Sequence, residues 1–161
     1  MILKIKGRLM IAVMDRKGRV RDFRVVNNVI TNLGKAKVAG LIGGLDTLPV
    51  KYVAIGEGDP LYPGSCTTES ATDTQLGYET CRKQADSITY YTWQVTNDTV
   101  YIQATFSSAD GCTGIRNICE AGLFDDITGG ILFARATFTP ILVDFDVGDK
   151  LWSGWYVGVY A

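Results

Sequence analysis

"ICEAGLFDDITGGILFARATF", running from Ile118 to Phe138, holds two apolar runs separated by Asp125, Asp126, Thr128, Gly129 and Gly130. In the second run Leu132, Ala134, Ala136 and Phe138 alternate with Arg135 and Thr137. A period of two is that of a strand with one buried face. Acids, a threonine and paired glycines between such runs are what a turn demands. The stretch therefore predicts a hairpin, with a strand near Ile118–Phe124 and a second over Ile131–Phe138. Asp125 and Asp126 read as solvated residues of its tip rather than as a chemical site.

The same period recurs on both sides of this hairpin. "SITYYTWQVTNDTVYIQATFSS" (Ser87 to Ser108) alternates Val100, Ile102, Ala104 and Phe106 with Tyr101, Gln103 and Thr105, and Asn97-Asp98 supplies turn chemistry. Residues 2–14 and 19–27 read as strands around the tip Asp15 to Arg19, where Gly18 can take a positive φ. "VKYVAIG" (Val50 to Gly56) is a buried strand candidate. The terminal run "KLWSGWYVGVYA" sets Leu151, Trp155, Val157 and Val159 on one side and Trp152, Tyr156 and Tyr160 on the other. A strand apolar on both faces is either central in a sandwich or covered by another subunit.

One segment changes period. In "NNVITNLGKAKVAGLIGG" (Asn27 to Gly44), Leu33, Ala36, Val38, Leu41 and Ile42 suggest a short amphipathic helix, with Thr31 or Asn32 as N-cap and Gly43-Gly44 ending it. Glu57 to Cys81, with Pro60 and Pro63, reads as a long loop of the kind that is functional or packs on a partner. The expected fold is all-β: an antiparallel sandwich of about eight strands with one short helix, in a single domain spanning 1–161. Met1–Met14 is expected as an N-terminal arm or edge strand, and it and the 57–81 loop are the expected contact elements.

Composition limits the chemistry. The 161 residues are 47% hydrophobic and 20% charged, a globular balance, and the net charge of −1 argues against a global grip on nucleic acid or an anionic membrane. Lys4, Lys6, Arg8, Arg16, Lys17, Arg19, Arg21 and Arg24 gather at the N-terminus, as a solvated strand face and hairpin tip would place them. No histidine is present, which removes the commonest general base and metal ligand. Glu79, Asp86, Glu120, Asp125 and Asp126 could form an acid/base pair only if the fold set two of them at a working separation. "YVAIGEGDP" (Tyr52 to Pro60) lacks the lysine and the helix of a phosphate loop. "DFDVGDK" (Asp144 to Lys150) lacks the full calcium loop and reads as a turn. Asn97-Asp98-Thr99 matches a glycosylation sequon by chance at a hairpin tip. No enzyme, cofactor or metal is expected.

Cys66, Cys81, Cys112 and Cys119 match no zinc spacing and allow three pairings. The local pairing, Cys66–Cys81 with Cys112–Cys119, is favoured, and free buried thiols are the alternative. The start of the chain interrupts its apolar run with Lys4, Lys6 and Arg8, so neither a signal peptide nor a membrane span is expected. Disulfides would then form only after release from a reducing cytosol or in an extracellular particle. Tyr90, Tyr91, Trp93, Tyr101, Trp152, Trp155, Tyr156 and Tyr160 crowd the hairpins, where rings serve a core, a carbohydrate site or a protein interface.

Taken in order, "NVITNLGKAKVAGLIGG", "VKYVAIGEGDP", "TDTQLGYE", "ICEAGLFD…GILFARATF" and "LWSGWYVGVY" resemble a family of small structural proteins of tailed, bacteriophage-like viruses, described as tail-fibre-like or virion-associated. The likeness runs from about Asn28 to Tyr160. It implies a non-enzymatic virion subunit, made in the host cytoplasm and carried in the particle. The role implied is a self-assembling capsid decoration (cement or turret) protein, or a collar, baseplate or tail-adaptor subunit. Its partners would be copies of itself and other capsid or tail proteins, with Trp152, Tyr156, Tyr160 and Tyr62 as interface candidates and neither nucleic acid nor membrane involved. The rival reading is a receptor- or glycan-binding module of a tail fibre or baseplate, touching a host surface glycan. The four cysteines depart from the family pattern and would staple loops or cross-link neighbours.

Overall fold

Ile118 to Phe138 forms the hairpin its alternation predicts, and that hairpin is the middle of one of two facing sheets. The computed structural model describes residues 1–161. Its strands are β1 (Lys4–Met14), β2 (Val20–Asn27), β3 (Val29–Ile30), β4 (Tyr52–Gly56), β5 (Glu79–Gln84), β6 (Ser87–Tyr91), β7 (Thr99–Phe106), β8 (Ile115–Phe124), β9 (Leu132–Asp144) and β10 (Lys150–Tyr160), with one helix, α1 (Asn32–Gly43). Sheet A has the order β2-β1-β10-β7-β6 and sheet B the order β3-β9-β8-β4-β5. Every pairing is antiparallel. The fold is an all-β sandwich of ten strands. The sequence suggested about eight; the two-residue β3 and the strand β5, which begins inside the expected 57–81 loop, account for the difference.

The core lies between the sheets. Leu9, Ile11, Val13, Ile102, Ala104, Phe106, Leu151 and Trp155 from sheet A meet Val53, Ile55, Ile118, Leu123, Ala136 and Ile141 from sheet B, all at or near zero exposure. Full burial of such side chains contributes about 1.5–3 kcal/mol each. β10 pairs with β1 on one side and β7 on the other, so the strand that reads as apolar on both faces is central. The same pairing corrects the expectation for the N-terminus. Residues 4–14 are an interior strand between β2 and β10, and the edges of sheet A are β2 and β6.

Residues 57–78 form a strap across the outer face of sheet B. Its two ends are tied down by one buried carboxylate: Glu120 on β8 accepts the backbone N–H of Gly58 (3.1 Å), Gly77 (3.0 Å) and Tyr78 (2.9 Å). The same carboxylate accepts from the Arg135 guanidinium on β9, which also reaches Asp73 of the strap at 2.9 Å. Leu76 packs with Phe124 and Leu132 in a second small core. Within β8 the register shifts between Ile118 and Glu120, which lets Cys119 and Glu120 both reach the strap.

The disulfides are Cys66–Cys119 and Cys81–Cys112, with Cα–Cα separations of 6.0 and 5.7 Å. This corrects the local pairing. Cys81 and Cys112 belong to the core between the sheets, whereas Cys66 and Cys119 meet on the outer side of sheet B beneath the strap. Pairing follows the face of the sheet, and the local bonds would have to pass through it.

Helix α1 begins and ends as its sequence predicts. Thr31 accepts the Gly34 N–H at 2.9 Å, and Gly44 closes the helix in the left-handed region at φ 70°. Its orientation does not follow its apolar residues. Gly34 rests on the Phe133 carbonyl, where a Cβ would collide, and the buried face also carries Lys37. The Lys37 ammonium, with a side chain at zero exposure, lies 2.8 Å from both Asp125 and Asp46. Asp125 is therefore buried and ion-paired, not a solvated tip residue; its partner is on the helix, and it also accepts the Ile131 N–H. Asp126 is the exposed acid of the pair. Leu33, Leu41 and Ile42 face outward, Ile42 at 83% exposure.

Candidate functional site

Alternation along β1 sends Leu9, Ile11 and Val13 into the core and Lys4, Lys6, Arg8, Met10, Ala12 and Met14 to the opposite, outer face of sheet A. The registers extend this face across five strands. Phe23, Ala12, Trp152 and Thr105 stand in one row, Val25, Met10, Gly154 and Gln103 in the next, and Arg8, Tyr156, Tyr101 and Thr89 in a third. An outer face that meets only water is ordinarily polar. This one carries Val20, Phe23 and Val25 on β2 at 61, 64 and 51% exposure, followed inward by half-buried Met10, Met14 and Trp152. Strap and helix both lie against sheet B, so no element of the chain covers this patch.

Glycines on β10 bring its rings down onto the sheet. A Cβ at Gly154 would stand 2.8 Å from Trp152 Cζ2 and 3.0 Å from Tyr101 Cε2, and one at Gly158 would stand 2.5 Å from the Tyr160 hydroxyl. Tyr101 stacks on Tyr156 at 4.4 Å between centroids, and Tyr91 meets Tyr156 edge-on at 5.1 Å. Burial, together with the neighbouring Tyr156 hydroxyl, pushes the Tyr101 phenol up to about 12, so it stays protonated. Trp93 joins this aromatic half from the connection between β6 and β7, close to Tyr160 and beneath the Arg8 guanidinium at 5.7 Å.

The Trp93 loop is pre-organised by one carboxylate. Asp98 accepts the N–H groups of Trp93 (2.8 Å), Gln94 (2.8 Å) and Val95 (3.0 Å), and Asn97 takes φ 63°. The backbone N–H groups, that of Val95 foremost, hold the Asp98 carboxyl far below the usual carboxylate range despite the opposing effect of desolvation. A depressed folded-state value means that this contribution is present above the unfolded value and lost only as pH falls through the folded one. The loop therefore keeps its order well into acid.

Of the four interface candidates, Trp152, Tyr156 and Tyr160 share this face. Tyr62 does not: it is 70% exposed on the strap, on the side of the other sheet. Four of the five carboxylates considered for acid/base work are engaged separately, Glu120 with Arg135, Asp125 with Lys37, Glu79 with Arg82 and Asp86 with Lys83, while Asp126 is exposed and enters no ion pair. Asp144 to Lys150 contains a short 3-10 turn, Phe145–Val147, and Asp149 just beyond it holds Arg21 at 2.7 Å. No group of three or more His, Cys, Asp or Glu side chains is arranged to hold a metal ion, and no helix is long and apolar enough to cross a membrane. Phe23, Val25 and Met10 escaped the sequence reading. Their signal, outward positions on the β1–β2 hairpin, becomes usable only once the register is known.

No protein-family model matches the chain, and no curated protein matches its sequence.

Proposed function

We propose that the chain is a non-enzymatic assembly subunit that associates through the outer face of sheet A, and that it serves as a structural protein of a tailed-virus particle. The observation that carries this reading is the uncovered row of Val20, Phe23 and Val25, continuous with Met10 and Trp152. Exposed apolar surface of this contiguity on a folded domain ordinarily marks an interaction site. The outward Leu33, Leu41 and Ile42 of α1, with Leu45 and Leu48 beyond it, give a second apolar surface on a different element. Two unlike surfaces suit a repeating lattice or ring, in which many modest contacts add up. Two disulfides that order the strap and the β7–β8 connection suit a protein that works outside a reducing cytosol. Within the particle, a capsid decoration or a collar or tail-adaptor position accords with the resemblance noted above.

Purified particles from the infection that produces this chain provide the test. The chain is expected in them at a fixed copy number, and Phe23→Asp is expected to lower its incorporation at least tenfold while leaving its unfolding curve unchanged. Particles that lack the chain, or that carry the variant at the normal copy number, contradict the reading.

A further inference from the structure

The cationic half of sheet A carries a second feature. A groove of about 700 Å³ opens where the first residues of β1, the β2–β3 junction, the Trp93 loop and the end of β10 meet. That volume is within the range of sites for small organic ligands, about 300–1,000 Å³. Its wall brings together Lys6, Arg8, Lys35, Asn28, Trp93 and Tyr160, and it holds no Asp or Glu side chain. Arg19, Arg21 and Arg24 on the same hairpin are each paired with an aspartate. Lys6, Arg8 and Lys35 enter no ion pair and leave their charge available. The Asn28 amide is buried against Gly7 and has no hydrogen-bond partner.

We infer that this groove binds a carboxylate-bearing oligosaccharide. The planar guanidinium of Arg8 matches a carboxylate in two-point geometry, with Lys6 and Lys35 as flanking point charges. Trp93, which is 52% exposed and held by the Asp98 turn, offers an apolar ring to the C–H face of a sugar. The Tyr160 hydroxyl, which can both donate and accept, offers a polar contact of the kind that sugar hydroxyls need. A single-stranded nucleic acid would need a file of free ring faces along a cationic track. Here Tyr101 and Tyr156 spend their faces on each other, and Arg8 lies over one face of Trp93. The site is distinct from the apolar patch around Phe23 and Trp152, so the inference does not depend on the assembly reading.

Titration of the full chain with tetragalacturonate and a sialylated trisaccharide, followed by Trp fluorescence and calorimetry, tests it. Cellotetraose and lactose serve as neutral counterparts, and oligothymidylate and a hexaglutamate peptide as the other anionic classes. Binding is expected for at least one acidic sugar, at least tenfold tighter than its neutral counterpart and tighter than either other polyanion. Arg8→Gln and Trp93→Ala should each weaken it about tenfold or more. Tyr62→Ala, on the strap, should not change it, and neither should Phe23→Asp. Overturning results are no binding of either acidic sugar at millimolar concentration, a preference for the oligonucleotide or the peptide, or full binding by the Arg8→Gln/Trp93→Ala double variant.

Discussion

Glu120→Ala is expected to destabilise the fold by about 3–5 kcal/mol, the range found when one member of a buried ion pair is removed. Glu120 has zero exposure, and Arg135 has a side-chain exposure of 2%. Two guanidinium nitrogens of Arg135 donate to it, at 3.1 and 2.7 Å. Without the carboxylate, Arg135 keeps only Asp73, and the N–H groups of Gly58, Gly77 and Tyr78 lose their acceptor. The residue acts both as a charge partner and as a peg for the strap, and a second variant separates the two roles. Replacing both charges, as Glu120→Leu with Arg135→Met, removes the unpaired cation and would restore most of the stability if the ion pair were the whole effect. The three orphaned amides remain, at about 1–3 kcal/mol for each buried group left unsatisfied, so only partial recovery is expected. Urea unfolding of the wild type, the single variant and the double variant measures this directly. Full recovery in the double variant would remove the strap-anchoring role.

Reduction of the disulfides is expected to have an effect of similar size. Cys81–Cys112 closes a sequence separation of 31 and Cys66–Cys119 one of 53. In the chain-entropy description each bond alone contributes about 4 kcal/mol at 25 °C. The first loop is nested within the second, so the joint effect falls short of the sum. A loss of about 4 kcal/mol in a chain of this size lowers Tm by roughly 10 °C or more. Thermal unfolding with and without a phosphine reductant, with free thiols counted in each sample, checks this. Cys66→Ser with Cys119→Ser should in addition loosen the strap, read as faster amide exchange over residues 57–78. An unchanged Tm in a sample shown to hold four free thiols would contradict the stabilising role.

The parts of this fold that were legible in the sequence depend on local signals. The hairpin from Ile118 to Phe138 and the two-sided character of β10 follow from period-two alternation, which a strand cannot disguise. The ends of α1 were legible because a cap needs one side-chain oxygen and one residue free to take positive φ, and Thr31 and Gly44 supply them. Parts that depend on distant partners were not. Asp125 looks like any turn acid until Lys37, far away in sequence, is seen to need it. The helix was expected to bury its leucines. Gly34 allows so close an approach to β9 that the neighbouring face, with Lys37, is buried instead. Cysteine spacing carries no information on which side of a sheet each thiol stands, and that alone selected the pairs.

The candidate site divides in the same way. Trp152, Tyr156 and Tyr160 are assigned to one face by counting in twos. Their neighbours Phe23, Val25, Met10 and Arg8 are fixed only by the order β2-β1-β10, which no single strand encodes. That order also moved the N-terminal strand from an expected edge to the interior, where its backbone is paired on both sides and only its outward side chains are left exposed.

The association state of the purified chain tests the central claim most directly. Sedimentation velocity from low micromolar to millimolar concentration should show concentration-dependent assembly of the wild type. Phe23→Asp and Val25→Asp, equally stable by unfolding, should remain monomeric over the same range because each places a carboxylate in the middle of the apolar row. A wild type that stays monomeric throughout, or variants that assemble as it does, would contradict the assignment of the outer face of sheet A as the assembly surface.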